Sequence, residues 1–199
     1  AFFKSMLLVS GISPYFLIGG AISYTLFTPL AYSLLQEYQR IRIYTFLNPF
    51  LDPQGSGYNA LQSMITVGSG QLIGRGFGRG TQSLLQFLPE YHTDFIFASF
   101  IEIFGLIGGL FMLLLFFVLL WRMLKLISRQ IPQTPAFYFI IGLFALIFTQ
   151  VSINVGMNMG IIPVTGITLP LISYGRSSLL SVWVSLGLLA SAIQSRHEL

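Results

Sequence analysis

The chain has 199 residues, 54% of them hydrophobic and only 8% charged, and its net charge is +4. An ordinary soluble domain carries about 25% charged residues, so this chain cannot cover a water-facing surface in the usual way. It contains no cysteine, which excludes disulfides, thiolate metal sites and cysteine nucleophiles. Ten basic and six acidic residues are too few for a nucleic-acid face and point instead to lipid headgroups or another anionic lipid.

The opening Ala1-Phe2-Phe3-Lys4 lacks both Met and a charged leader, as expected of a piece that starts mid-protein. A spanning helix needs about 20 apolar residues, and four segments meet that demand: 15–35, 95–121, 136–153 and 172–193. Pro14 suits a first helical turn and Pro29 a kink. Glu102 is the only charge of the second segment before its basic end, and Pro132 and Pro135 separate the second from the third. The expected fold is all-α: a polytopic transmembrane helical bundle, with one large loop and both termini on the same side.

Arg122, Lys125 and Arg129 form a short basic stretch without an acid, which places residues 122–135 inside, with Lys4 and Arg196. Arg40, Arg42, Arg75, Arg79 and Arg176 fall on the opposite side, where an anionic ligand would give them a purpose. Residues 36–93 are too long for a plain connection. They include Tyr58 to Ile65, a plausible amphipathic helix, and a run of glycines that permits tight turns and close backbone approach. The expectation is an ordered outer cap, partly re-entrant.

Asp94 closes that loop and opens the second segment. Thr93 or Asp94 could serve only as an N-cap, with the acid favoured by the helix dipole. Alternatively, a partly desolvated carboxylate beside Phe95 and Phe97 has its pKa raised toward that of a useful base, with His92 and Glu90 close enough to tune it. Glu102 lies two helical turns further on, and a buried hydrogen bond to Gln150 or Asn154 is its expected structural role. The arginines near the glycines suit phosphate recognition or headgroup anchoring equally. Gly74-Arg75-Gly76-Phe77-Gly78-Arg79-Gly80 is no nucleotide fingerprint, and no metal-ligand pattern occurs. Between Pro163 and Ser178 an irregular, Ser- and Gly-rich entry to the fourth segment serves either close packing or a polar groove.

In order, Arg42, Asn48-Pro49, Asp52-Pro53, Gly55-Ser56-Gly57-Tyr58, Gln62-Ser63, Gly68-Ser69-Gly70, Gly80-Thr81-Gln82-Ser83, Leu88-Pro89-Glu90 and His92-Thr93-Asp94-Phe95-Ile96-Phe97 resemble the SEDS family, the polytopic glycosyltransferases typified by RodA and FtsW. Gly105-Leu106-Ile107-Gly108, Asn154, Gly156-Met157, Pro163-Val164-Thr165-Gly166, Leu169-Pro170 and Ser173-Tyr174-Gly175 with Ser177-Ser178 continue the match. The Gly-Thr-Gln-Ser stretch looks more like the elongation branch, RodA, than the division branch.

The resemblance implies a single transmembrane domain over residues 1–199. That domain is the C-terminal part of a fold of about ten helices, with 36–93 as its extracellular loop, in the bacterial inner membrane and with cytoplasmic termini. It implies polymerisation of lipid II into glycan strands beside a class B penicillin-binding protein, with Asp94 as general base, inversion at the donor and undecaprenyl pyrophosphate as leaving group. Arg42 and Arg75 would stabilise the pyrophosphate, with room for a divalent cation, Mg or Mn. Gln62, Gln82, His92, Thr93 and Ser173 would shape the sugar site. A lipid II flippase and a non-catalytic scaffold of the elongation complex are the alternatives. The chain departs from the family pattern at Arg176, where a second glycine is usual, and at Ile103, where a second acid often follows Glu102. It also lacks six further helices, so the fragment alone is expected to be inactive.

Overall fold

The computed structural model describes residues 33–52, 55–80, 87–129 and 134–194, with residues 19 and 82. The expected first span, residues 15–35, lies almost wholly outside the described residues. Among the described residues every regular element is helical: α1 (Glu37–Leu47), a 3₁₀ turn (Pro49–Leu51), α2 (Ser56–Ser69), α3 (Ile96–Arg129), α4 (Pro135–Asn158) and α5 (Arg176–Gln194).

The strongest expected span becomes α3, longer than its apolar run because Arg122 to Arg129 continue the helix into the basic stretch. Helix α4 begins where the Pro132 and Pro135 breakers predict: Thr134 accepts a hydrogen bond from Phe137 N at 3.3 Å and Pro135 takes the first turn, where its missing N–H costs nothing. It runs five residues past the expected Ile153, to Asn158. α3 and α4 pack through Ile101, Met112, Phe116 and Met123 on one side and Ile140, Leu143, Ile147 and Val151 on the other, the latter at helical spacing. Their remaining faces stay apolar and exposed, with Leu110, Leu114, Phe117 and Phe148 all more than half accessible. A helix that is hydrophobic all round meets hydrocarbon rather than water. Both α3, over Ile96–Ser128, and α4 are long and apolar enough to cross a membrane, whereas the apolar stretch Arg176–Ser191 of α5 is shorter.

The fourth span starts at Arg176, not at Ile172 as expected. Leu171 sits in the left-handed region at φ 67, which costs a non-glycine residue energy and interrupts helical propagation. The amphipathic helix read at Tyr58–Ile65 is found as α2, one turn longer at its C-terminal end. Helix α1 was not anticipated: its apolar residues do not line one face, and a reciprocal Gln36–Gln39 capping box supports its start, as does its packing on α2 and the 3₁₀ turn.

The glycine-rich segment lies against α3, which is opened to receive it. Gly105 has φ 72 and ψ −174, non-helical values inside α3. Leu106 N and Ile107 N therefore donate to Gln71 O and Leu72 O at 2.9 and 3.2 Å, while Glu102 O and Ile103 O accept from Arg75 N and Gly76 N at 2.8 and 3.0 Å. Four backbone bonds thus pass from helix to loop, replacing helical bonds that the break removes. The two backbones meet so closely that a Cβ at Gly105 would collide with Gly74 N and Leu72 O.

Candidate active site

Asp94 stands at the head of α3, in a run of turns from Pro89 to Phe95. Glu90 takes a left-handed φ of 52. Its carbonyl gathers Thr93 N at 3.1 Å, Phe95 N at 3.3 Å and the Thr93 hydroxyl at 3.1 Å, and the same hydroxyl reaches the Glu90 carboxylate at 2.8 Å. The capping reading fails in this geometry: Thr93 bonds backward to Glu90, and among the described residues the Asp94 carboxylate accepts no cap amide.

What holds Asp94 is its backbone. Asn154 Nδ2 donates to Asp94 O at 2.9 Å and to Ile167 O at 2.7 Å, and Asn158 Nδ2 adds a bond to Asp94 O at 3.2 Å. Asn158 is itself fixed, because its Oδ1 accepts from Ala98 N and from the Ser63 hydroxyl, each at 3.2 Å. Both asparagines are fully buried and lie one turn apart on α4, so α4 ties the head of α3 to α2 and to the segment after α4. On the other flank Ser173 donates to Thr93 O at 2.7 Å and accepts from Leu169 N at 2.8 Å, and Tyr174 N donates to His92 O at 3.0 Å.

The Asp94 side chain is left half-buried beside Gly166, whose φ is 72 and where a Cβ would come within 3.3 Å of Asp94 Oδ2. Burial raises the Asp94 carboxyl above its ordinary 3.8; the nearby Glu90 carboxylate raises it further, and the Arg42 guanidinium opposes both. Arg42 projects from α1, with Nη1 at 3.5 Å from Thr165 O, so α1 and the segment between α4 and α5 bring a cation to this carboxylate.

The structure thus joins Asp94, Arg42, His92, Thr93 and Ser173. The Ser173 hydroxyl, as donor and acceptor, is used within the fold. The His92 ring lies between Tyr91 and Tyr174, with centroids at 5.0 and 6.1 Å. Gln62 on α2 and Gln82 in the loop keep buried side-chain oxygens without a hydrogen-bond partner, and Gln82 N donates to Glu102 Oε1 at 2.9 Å. The buried Glu102 therefore bonds the loop; Asn154, one of its two expected partners, is committed to the backbone of Asp94 and Ile167. Arg75 rides on the loop at Glu102, two turns along α3 from Asp94. Asn158 was missed, although two amides one turn apart in an apolar span are a readable signal of buried polar work.

A resident cation does not fit this donor set: among the described residues no three His, Cys, Asp or Glu side chains converge, and Glu90 already bonds Thr93. No step below passes through a metal.

A polytopic helical membrane protein with a braced, partly desolvated carboxylate at the head of its longest helix is the class defined by this fold and site. The chain belongs to the FtsW/RodA/SpoVE family of cell cycle proteins, whose profile matches residues 1–198. It is 43% identical to the peptidoglycan glycosyltransferase MrdB of Escherichia coli K12 over 196 residues, which are 98% of this chain and 52% of that protein. It is 46% identical to the stage V sporulation protein E of Bacillus subtilis over 78% of this chain and 42% of that one. It is also 40% identical to the peptidoglycan glycosyltransferase RodA of Treponema pallidum over 81% and 37%. A solved chain from work on the coordination of polymerization and crosslinking by a peptidoglycan synthase complex superposes with a TM-score of 0.72 at 29% identity. That match covers 94% of this chain and 51% of that one. The chain spans about half the length of the first relatives it matches.

Proposed function

We propose that this chain carries the catalytic face of an inner-membrane peptidoglycan glycosyltransferase that polymerises lipid II, with Asp94 as general base. The observation that carries the reading is the Asp94 carboxylate: half-buried, raised in pKa by burial, uncommitted to any cap, and braced through its own carbonyl by Asn154 and Asn158. A base must be fixed in place yet free at its oxygens, with a pKa moved toward the working pH. The E. coli and T. pallidum relatives are named for this activity.

Asp94 takes the proton from the 4-hydroxyl of the acceptor's GlcNAc as that oxygen forms a bond to the anomeric carbon of the donor's MurNAc. The bond from that carbon to undecaprenyl pyrophosphate breaks with inversion, and the leaving group departs with the electron pair as an anion. Arg42 stabilises the departing pyrophosphate. His92 and Thr93 flank the base, and Gln62 and Gln82 bring amides to the sugar. The six helices that the relatives hold beyond this stretch complete the lipid cavity, and a class B penicillin-binding protein crosslinks the product, in keeping with the complex in which the structural neighbour was solved.

The test is lipid II polymerisation by the whole protein with its transpeptidase, comparing wild type with Asp94→Asn and resolving the glycan on a gel. The asparagine protein is expected to bind its partner and lose about 10²–10⁴-fold in rate. Normal polymer from Asp94→Asn would sink the mechanism and favour a scaffold or a flippase.

A further inference from the structure

The stretch from Thr165 to Tyr174 passes Asp94 with an arginine at each end. At its start Thr165 O accepts from Arg42, and Gly166 lies against the Asp94 carboxylate. At its far end Tyr174 N donates to His92 O at 3.0 Å, and the rings of those two residues stand 6.1 Å apart. Just beyond, the Arg176 guanidinium lies over the Tyr174 ring, 5.9 Å from its centroid. His92, Tyr174 and Arg176 so form a row that begins beside Asp94 and ends in a cation.

All three are exposed, Tyr174 to 64%, and among the described residues their side chains form no hydrogen bond or ion pair. They are nonetheless positioned: a backbone bond sets Tyr174 against His92, and the tyrosine ring attracts the guanidinium. Arg176 also opens the apolar stretch Arg176–Ser191, so its charge stands where that stretch leaves the hydrocarbon, on the Asp94 side. An arginine that merely anchored the helix would reach outward among the headgroups, whereas this guanidinium is drawn over Tyr174. Glycine is usual at this position, so the fold does not call for the side chain.

We propose, on the polymerase reading, that His92, Tyr174 and Arg176 line the acceptor's place in the site, with Arg176 binding the pyrophosphate that the acceptor retains. Inversion assigns the two ends. The attacking and leaving oxygens lie on opposite faces of the donor's anomeric carbon, and Asp94 belongs to the attacking one. Arg42 attends the leaving pyrophosphate, so the acceptor extends toward the other arginine. Its GlcNAc, with the 4-hydroxyl at Asp94, lies at His92, and its MurNAc packs a ring face on Tyr174. The anomeric carbon of that MurNAc carries the pyrophosphate, whose oxygens suit the fork of a guanidinium. This pyrophosphate stays bonded throughout the step, so Arg176 acts on binding and not on the bond that breaks.

The test separates the two substrates in the whole protein with its transpeptidase, in phosphatidylcholine nanodiscs free of anionic lipid. Lipid II methylated at the 4-hydroxyl can only donate. Two disaccharide peptides can only accept: one keeps a prenyl diphosphate on a carbon link that cannot be cleaved, and the other is a methyl glycoside without phosphate. Arg176→Gln is expected to raise KM for the diphosphate acceptor about tenfold, with no rise for the methyl glycoside or for the donor. An equal rise for both acceptors overturns the proposal by assigning Arg176 to the peptide carboxylates. A rise confined to the donor overturns it by placing Arg176 at the leaving group, and no rise at all leaves the arginine a headgroup anchor. Arg176→Gly, the residue usual there, gives the same comparison if the glutamine variant fails to fold. Failure of the polymerase reading is separate: it shows as absence of transfer by wild type, or as normal transfer by Asp94→Asn.

Discussion

Asp94 is governed by two opposing charges, and each can be removed separately. The carboxyl is raised by burial and by Glu90 and lowered by Arg42, and a base works only when deprotonated. The acidic limb of kcat/KM should therefore lie above the ordinary carboxylate value of 3.8. Arg42→Gln should shift that limb to higher pH and Glu90→Gln to lower pH, read from polymerisation rates between pH 4 and 8 under saturating partner. A limb unmoved by both variants would mean that some other group titrates. The same shift fixes a sign for stability. A carboxyl whose folded pKa is raised stabilises the protein when protonated, and that contribution is lost as pH rises through the folded pKa. At neutral pH the charged Asp94 thus opposes folding, and Asp94→Asn should melt at the same temperature as wild type or higher, with the difference vanishing at pH values below 3.8. An asparagine variant that melts lower at neutral pH would reveal a structural carboxylate instead of a poised one.

At the scale of elements, polar groups inside apolar helices do the positioning. Asn154→Ala leaves the Asp94 and Ile167 carbonyls short of a donor in a buried setting, a loss of about 1–3 kcal/mol, visible as a lower melting temperature in detergent. Gly105→Ala meets both a left-handed φ and the backbone of the loop, which cannot step aside, so a comparable cost of about 1–3 kcal/mol is expected. Gly187→Ala in α5, where a Cβ finds open space, should be neutral or stabilising by about 0.5–1 kcal/mol. Equal melting temperatures for the two glycine variants would contradict the interlocked break. These features also mark where the sequence was legible. The Phe-, Leu- and Ile-rich runs of α3 and α4 declare themselves because hydrocarbon demands a continuous apolar stretch, and Asp94 stands out as an acid at the head of one. Helix α1 carries no apolar stripe to read. Gly105 resembles any other small residue of a membrane helix until its backbone angle is known. Asn154 and Asn158, two amides one turn apart in an apolar span, signal buried polar work, but the carbonyl they hold lies across helices and has no local sequence signature.

At the scale of the molecule, the length of α3 sets the chain across the bilayer. Below the Gly105 break, residues 106–129 alone measure about 36 Å against a hydrocarbon thickness of about 30 Å, so both ends of α3 emerge. One emerging end carries Arg122 and Lys125, and the other carries Asp94 beneath α1 and α2 with Arg42 at its side. In the proposed reaction the pyrophosphate joins a polyprenyl chain to a sugar and so sits at headgroup level, where Asp94, just above the upper end of α3, would meet it. Short basic stretches remain on the cytoplasmic side, so Asp94 should face outward. In spheroplasts, Phe87→Cys is expected to react with a membrane-impermeant maleimide, while Ser128→Cys, exposed at the other end, should react only after permeabilisation. The reversed pattern would put Asp94 in the cytoplasm, where no growing glycan strand is found, and the polymerase reading would fall with the topology. Labelling of both positions without permeabilisation would deny that α3 crosses the membrane, which its uniformly apolar exposed face argues against.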